Sequence, residues 1–293
     1  MSVRELSASP NMAAMFARAG AALIPGASRL PFVSGGAREI PDLTLALDDV
    51  AIDPDRLARY DRVCGFSLSD SVPATYPHIL AFPLHLALMT NGSFPLPPIG
   101  LVHIANRITH HRRLRIGERL ALRVWATGIE PHPRGRQFSI RTEARVADEL
   151  VWEEASTNLR RGQGGGGGDA GPRGQHHRET GSLEPVATWA LPGDLGRRYG
   201  SVSGDLNPIH LHPLGARPFG FRSAIAHGMW TKARCLAALA PGLPERFTLE
   251  VEFRKPILLP STVEFLEAPR DGGIRFAVRE AARGTPHLDG DWA

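Results

Sequence analysis

The chain has 293 residues, 42% of them hydrophobic and 22% charged, as in an ordinary globular protein with room for one large domain or two modest ones. Its 34 basic residues include only two lysines and are scattered among 30 acidic residues, so the net charge is only +4. No nucleic-acid-binding motif accompanies them, which argues against a nucleic-acid partner. Two cysteines are too few for a disulfide framework or a zinc knuckle.

The beginning of the chain lacks the apolar core of a signal peptide, and no apolar run reaches the length of a membrane span. We therefore expect a cytoplasmic protein without membrane insertion. Residues 1–42 form an N-terminal extension. Within it Met12–Ala22 predicts a short helix, and a stretch rich in Pro and Gly follows.

Residues 43–160 are expected to form a first folding unit. The segment Tyr60–Phe66 (Y-D-R-V-C-G-F) precedes an apolar helical run over His78–Met89. Pro83 lies inside this run and should either kink the helix or delay its start. Alternation of apolar and polar residues then predicts half-buried strands. The predicted strands of this half are Arg119–Val124, Gln137–Val146 and Leu150–Asn158.

Residues 161–182 are glycine-rich and lack apolar periodicity, which predicts a flexible linker. The five consecutive glycines are not a phosphate-binding loop, because no Gly-Lys-Ser/Thr follows them.

Residues 183–293 repeat the pattern of the first half. Tyr199–Asp205 matches Tyr60–Phe66 at an offset of 139 residues, and Ile257–Val263 matches Leu114–Leu120 at an offset of 143. A second apolar helical run covers Gly228–Leu239. The predicted strands of this half are Phe247–Arg254, Thr262–Leu266 and Ile274–Glu280. Two related offsets indicate a duplicated α+β unit, in which a bent antiparallel sheet wraps one buried helix.

The segment Tyr199–His210 carries the strongest chemical signal. It places an acid, Asp205, five residues before a base, His210, with Asn207 and Pro208 between them. Pro208 disfavours helix at the preceding residue, so the segment must turn. An acid and a base in one turn suit proton transfer, whereas the structural alternative is a turn in which Asp205 caps a short helix starting near Pro208.

Two other interpretations of these residues fit less well. A metal site built from Asp205, His210, His212 and His227 conflicts with the spacing of two between His210 and His212. A serine hydrolase conflicts with Val202, which stands where the G-x-S-x-G motif needs its nucleophile.

The pattern Y-x3-S-G-D-x-N-P-I-H, followed by the A-H-G-M segment Ala226–Met229, resembles the signature of the MaoC-like, (R)-specific enoyl-CoA hydratase family. Larger members of that family are double hotdog proteins, so the resemblance implies an α+β double hotdog here. It also implies hydration of trans-2-enoyl thioesters to (R)-3-hydroxyacyl thioesters, or the reverse dehydration. The implied partner is an acyl-CoA or acyl carrier protein thioester. Neither a metal nor a redox cofactor is implied, and a homodimer is compatible with the family.

By the same resemblance Asp205 and His210 hold and activate the water. Asn207 and Ser203 orient the reacting groups, and Gly228, at a helix start, supplies the oxyanion hole. A glycine that only permits close packing remains an equal alternative for Gly228. His227 is interpreted as a buried, satisfied histidine. Arg254 and Lys255 are weak candidates for contacts with CoA phosphates, because a solvated surface pair would look the same.

The first half departs from the pattern at both reacting groups. Phe66 replaces the acid and Ser71 replaces the base, so this unit is predicted to shape the acyl pocket. Candidate pocket or core residues are Phe82, Leu84, Leu86 and Leu88. Two rival functions stay open: a non-catalytic acyl-thioester-binding or scaffold subunit, and an acyl-CoA thioesterase.

Overall fold

The computed structural model describes residues 2–21, 34–35, 37–162 and 183–293. The predicted linker over 161–182 falls outside these ranges except for its first two residues. The helices are α1 (Met12–Ala21), α2 (Pro54–Cys64), α3 (Tyr76–Met89), α4 (Leu195–Ser203), α5 (Pro208–Leu211), α6 (Pro213–Ala216) and α7 (Gly228–Leu239). The first strands are β1 (Ser2–Leu6), β2 (Leu43–Ala51), β3 (Ser71–Val72), β4 (Leu101–His110), β5 (Leu114–Arg115), β6 (Arg119–Ala126) and β7 (Glu130–His132). The remaining strands are β8 (Gly135–Val146), β9 (Glu149–Arg161), β10 (Glu184–Leu191), β11 (Phe247–Phe253), β12 (Ser261–Arg270), β13 (Gly273–Glu280) and β14 (Pro286–Trp292).

One large sheet runs through the described part of the chain in the order β1-β2-β6-β8-β9-β4-β11-β14-β13-β12-β10. The order of the last five strands mirrors that of the five from β2 to β4. The two halves meet where β4 pairs antiparallel with β11. Each half contains one long helix, α3 or α7, placed between its first and second long strands. This confirms the predicted α+β double hotdog, while the proposed domain boundaries stay a prediction.

The strands form where apolar residues alternate, as predicted. Leu120, Leu122 and Val124 of β6 are fully buried, and in β11 Leu249 and Val251 are buried as well. Most observed strands extend the predicted segments at one or both ends, whereas β11 ends at Phe253, one residue before the predicted end. The structure adds long strands that the alternation pattern did not indicate, namely β2, β4, β10 and β14.

The two central helices are apolar almost all round, because the sheet covers them on most sides. Helix α7 has the predicted bounds, and α3 begins at Tyr76, two residues before the predicted start. Pro83 therefore does not delay the start of α3, and that alternative is wrong. Pro83 is itself buried within the helix. None of the helices in the described ranges is long and apolar enough to span a bilayer.

Helices α2 and α4 pack against each other and join the two halves beside the sheet. Arg56 of α2 donates from Nε to the carbonyl oxygen of Val202 (2.9 Å) and from Nη2 to that of Ser203 (3.3 Å). These carbonyls lie in the last turn of α4, where helical partners run out, so Arg56 caps that helix. In the opposite direction Trp230 of α7 donates from Nε1 to the carbonyl oxygen of Val63 at 3.0 Å.

Trp152 of β9 offers a test of the core of the first half. Its indole is fully buried and donates from Nε1 to the carbonyl oxygen of Ala74 at 2.7 Å. Trp152→Ala leaves a large cavity and an unpaired carbonyl, so we expect the free energy of unfolding to fall by about 3–5 kcal/mol. Urea titration followed by circular dichroism measures the change. The control Leu68→Ala removes an exposed side chain and should change stability by less than about 0.5 kcal/mol.

Candidate active site

The catalytic turn, residues Ser203–His210, begins where α4 ends. Gly204 has φ of 83°, the left-handed conformation that commonly ends a helix, and its N–H donates to the carbonyl oxygen of Gly200 at 2.9 Å. Ser203 Oγ then accepts the N–H of Asp205 at 3.1 Å. Asp205 Oδ1 accepts the N–H of Asn207 at 3.1 Å. These local bonds hold the acid at the exit of the helix.

Asn207, and not Asp205, caps the short helix α5. Its Oδ1 accepts the N–H of Ile209 at 3.3 Å, and Pro208 fills the first helical position. The alternative in which Asp205 caps the short helix is therefore wrong, because the capping residue is Asn207, two residues later. Ser203 and Asn207 both line the cavity, and their oxygens are engaged in shaping the turn. Substrate orientation by these two residues stays a prediction.

A close backbone contact fixes His210 against α4. A Cβ atom added to Gly196 would overlap the carbonyl oxygen of His210, so only glycine fits at this point of α4. The contact brings α5 onto α4 and folds the turn back on itself. Sequence reasoning missed Gly196, which lies outside the recognised motif.

The protonation of His210 follows from its neighbours. Its Nδ1 lies 2.8 Å from the carbonyl oxygen of Ile225, and a carbonyl only accepts, so Nδ1 carries the proton. In the neutral ring Nε2 then has a free lone pair. Burial lowers the pKa of His210 below its ordinary value, although the charge of Asp205 and the bond to Ile225 oppose this. His210 is thus held as a neutral base.

His227 stacks on His210 with 3.7 Å between ring centroids and an interplanar angle of 23°. Its Nε2 donates to the backbone oxygen of Asp205 at 3.0 Å, which ties the turn to the start of α7. Burial, together with His210, lowers the pKa of His227 to about 3. His227 is buried, as expected, but its Nδ1 has no hydrogen-bond partner within the described ranges, so it is not fully satisfied.

Asp205, His210 and His227 come together, each offering one ligand atom within 4.8 Å of the others, as a metal site would require. His212 does not join them, since its Nδ1 accepts the N–H of Leu214 at 3.2 Å. His227 Nε2 is engaged with the backbone oxygen of Asp205, so only Nδ1 of that ring could bind a metal. Three of the four residues of the metal-site alternative therefore come together, and the fourth does not.

Gly228 is the first residue of α7 and lines the same cavity. The side chain of the preceding His227 makes no cap, so the free N–H groups and the positive end of α7 face the catalytic turn. A Cβ atom at Gly228 would lie 3.0–3.2 Å from ring atoms of Phe253. Both earlier interpretations of this glycine, close packing and an oxyanion hole, are compatible with this geometry.

A cavity of about 360 Å³ runs from the catalytic turn into the first half of the molecule. Phe82 and Leu86 of α3 line it, whereas Leu84 and Leu88 belong to the core. Helix α1 adds Phe16 and Ala19 to the wall, a contribution that the sequence did not indicate. Much of the cavity wall is apolar, as a binding site for an apolar chain requires.

The remaining predicted positions lie as follows. Arg254 lines the cavity but pairs with Glu252 at 2.8 Å and Asp289 at 2.6 Å. Lys255 lines the cavity and is exposed. In the first half Phe66 packs on Tyr60 at 6.3 Å between centroids, and Ser71 lies in β3. The first-half turn therefore holds neither an acid nor a base at the matching positions.

Gly204 offers a test of the turn. An alanine there must adopt a left-handed φ, while its Cβ atom would make only an ordinary contact with the Met12 side chain at 3.8–3.9 Å, so Gly204→Ala should lower the free energy of unfolding by about 1–2 kcal/mol through backbone strain. Thermal or urea unfolding measures this. Gly128→Ala is the matched control, because its φ is ordinary and a Cβ atom meets nothing within 4 Å. Equal destabilisation by both variants contradicts the assignment of the strain to Gly204.

Comparison with known proteins agrees with this geometry. The family model described as MaoC like domain matches residues 182–289. The 3-hydroxyacyl-thioester dehydratase X of Mycobacterium tuberculosis is 34% identical over 250 residues, covering 85% of this chain and 89% of the relative. The crystal structure of HtdX from the same organism superposes with a TM-score of 0.75 at 33% identity, covering 85% of this chain and 98% of that one.

A conserved hypothetical M. tuberculosis protein described as a double hotdog has a TM-score of 0.54 at 15% identity, covering 88% of this chain and 97% of its own, and it supports the fold alone. The sequence similarity to dehydratase X covers far more of the chain than either half alone. The chain therefore belongs to the MaoC-like dehydratase family.

Proposed function

We propose that this protein is a hydro-lyase that interconverts trans-2-enoyl and (R)-3-hydroxyacyl thioesters. The observation that carries the proposal is the pairing of Asp205 with a neutral His210 in one turn, beside the uncapped start of α7. The name of the relative, a 3-hydroxyacyl-thioester dehydratase, supports this reaction class. The apolar cavity beyond the turn suits an acyl chain.

In the hydration direction His210 Nε2 removes a proton from water as the water oxygen bonds to C3. The electrons of the double bond move toward the thioester carbonyl, and the first N–H groups of α7 at Gly228 stabilise the resulting enolate oxygen. Asp205 holds the water, and the proton taken up by His210 passes to Asp205 and from there to C2, so both groups end as they began. Both additions occur on the face that meets the turn, so the addition is syn. The reverse steps dehydrate the 3-hydroxyacyl thioester.

The thioester carrier is proposed as CoA or acyl carrier protein, with Lys255 as a contact for the phosphates of either. Arg254 is less suited to this role because two carboxylates already neutralise it. A thioesterase would release a free thiol, whereas a hydratase removes the enoyl absorbance. A binding or scaffold subunit would do neither.

The catalytic pair is tested by Asp205→Asn and His210→Gln. Each substitution keeps the shape of the side chain but removes the acid or the base, so we expect hydration of crotonyl-CoA to fall by at least about a hundredfold. Loss of enoyl absorbance measures the rate. His212→Gln is the matched control, an exposed histidine two residues away, and should retain native activity. Near-native turnover in both pair variants contradicts the proposed roles.

The pH dependence tests the protonation of His210. The base works only when neutral, and burial lowers its pKa, so the neutral form persists below the ordinary histidine pKa of about 6.5. We expect kcat/KM for crotonyl-CoA to stay constant from about pH 8 down to 6.5 and to fall at lower pH. Circular dichroism at each pH confirms that the protein stays folded. An activity that already falls as the pH drops from 8 to 7 rules out a neutral His210 with a lowered pKa.

A further inference from the structure

The first half contains a second buried polar group that the proposed reaction does not use. We call it the histidine cluster: His78 of α3, His103 of β4, and Glu154 and Ser156 of β9. His78 Nδ1 lies 2.8 and 3.0 Å from the two carboxylate oxygens of Glu154. His103 Nε2 lies 2.9 Å from Ser156 Oγ. All four residues belong to the half that has lost the acid and base of the turn.

Glu154 is the charged centre of the histidine cluster. Burial opposes its ionisation, but His78, His85 and the amide of Asn106 outweigh burial and lower the pKa of Glu154 to about 2. Asn106 donates from Nδ2 to Oε1 of Glu154 at 2.6 Å. The amide oxygen of Asn106 in turn accepts from the ammonium of Lys232 at 2.5 Å. The cluster is therefore held by charge-assisted bonds from both halves.

A carboxylate can only accept, so His78 donates to Glu154 from Nδ1 and turns its Nε2 edge away from Glu154. His78 lines the acyl cavity, and within the described ranges its Nε2 makes no hydrogen bond to the protein. His103 and Ser156 also line the cavity. The cluster thus presents hydrogen-bonding groups to a space whose neighbouring wall, including Ile79, is apolar.

His78, His85 and Glu154 also bring ligand atoms within 4.8 Å of one another. However, the 2.8 Å contact between His78 Nδ1 and Glu154 is a hydrogen bond with a proton between the atoms. Two ligands of one tetrahedral zinc ion would lie about 3.3 Å apart, given bonds of about 2.0–2.1 Å. His85 Nε2 is moreover engaged with Thr142 Oγ1 at 2.7 Å. The contacts favour a hydrogen-bonding site.

A plain hydrocarbon chain in this cavity would bury the free edge of His78 without a partner. Leaving one such polar group desolvated and unpaired costs about 1–3 kcal/mol. A hydroxyl group on the chain removes this cost, because it can donate to Nε2 when His78 is neutral and accept from it when His78 is charged. Ser156 Oγ offers a second polar contact on the same wall.

We propose that the histidine cluster binds a hydroxyl group on the acyl chain, beyond the two carbons that react. The substrate class is then an enoyl or 3-hydroxyacyl thioester whose chain carries a further hydroxyl. The proposal rests on the proposed function, since it assumes that the cavity holds an acyl thioester. It assigns to the first half a role in recognising the chain chemically, in addition to making space for it.

The test compares trans-2-decenoyl-CoA with a series carrying one hydroxyl at each carbon from C5 to C10. For at least one position we expect kcat/KM of the native protein to exceed that of the plain substrate by about tenfold, the equivalent of about 1.4 kcal/mol. No gain at any position overturns the proposal. Crotonyl-CoA separates the two ideas: failure to hydrate it contradicts the proposed function, whereas its hydration without hydroxyl preference contradicts only this inference.

Substitutions test which residues cause the preference for hydroxylated substrates. Ser156→Ala removes a hydroxyl that lines the cavity and should reduce severalfold the ratio of kcat/KM on the hydroxylated substrate to that on the plain substrate. Ser139→Ala is the matched control, because Ser139 Oγ bonds Thr157 Oγ1 at 2.8 Å and lies away from the cavity. His78→Phe should abolish the preference, and the fold of this variant is checked by circular dichroism. Equal loss on plain and hydroxylated substrates in Ser156→Ala overturns the assignment.

Discussion

Strands β4 and β11 pair antiparallel along the line where the two halves meet, with Asn106 opposite Val251 near one end of the pairing. The pairing joins the five strands from β2 to β4 and the five from β11 to β10 into one surface and sets how one half faces the other. Lys232 of α7 connects these two strands further, since its buried ammonium donates to the backbone oxygen of Asn106 in β4 (3.1 Å) and to that of Leu249 in β11 (3.0 Å). The cavity, with residues of both halves in its wall, depends on this register.

The two halves share a backbone frame but differ in the side chains of the matching turn. Gly65 and Gly204 both end a helix with φ of 83°, and Tyr60 and Tyr199 lie 6.2 Å apart between centroids. The backbone frame is thus shared. What differs is the residue after each glycine, Phe66 in one copy and Asp205 in the other. The same turn therefore carries an aromatic side chain in one half and a carboxylate in the other.

The fold could be predicted where a signal is local. The bounds of α7 follow from a largely apolar run, and those of β6 follow from strict alternation. Strand β14 (P-H-L-D-G-D-W) could not be predicted in this way, because Asp289 and Asp291 are buried within it and break the apolar pattern. Tertiary contacts, and not periodicity, define such a strand.

The same contrast between local and long-range signals applies to the residues of the cavity. Asp205 and His210 are five residues apart, so one turn brings them together and their partnership is visible in the sequence. The partner of His78 is Glu154, to which Asn106 also donates, and these groups meet only after β9 and β4 have paired. A histidine in an apolar helix looks like core until those strands are in place. For the same reason Gly196 appeared to be an ordinary glycine.

Helix α1 lies outside both repeated units, yet it packs on α3 and supplies Phe16 and Ala19 to the cavity wall. Met15 accepts a hydrogen bond from Thr90 at 3.4 Å, which anchors it to the end of α3. The helix that forms part of the cavity wall and the turn that carries Asp205 and His210 therefore come from separate stretches of the chain. Substitutions in α1 can therefore reshape the cavity while leaving the turn unchanged.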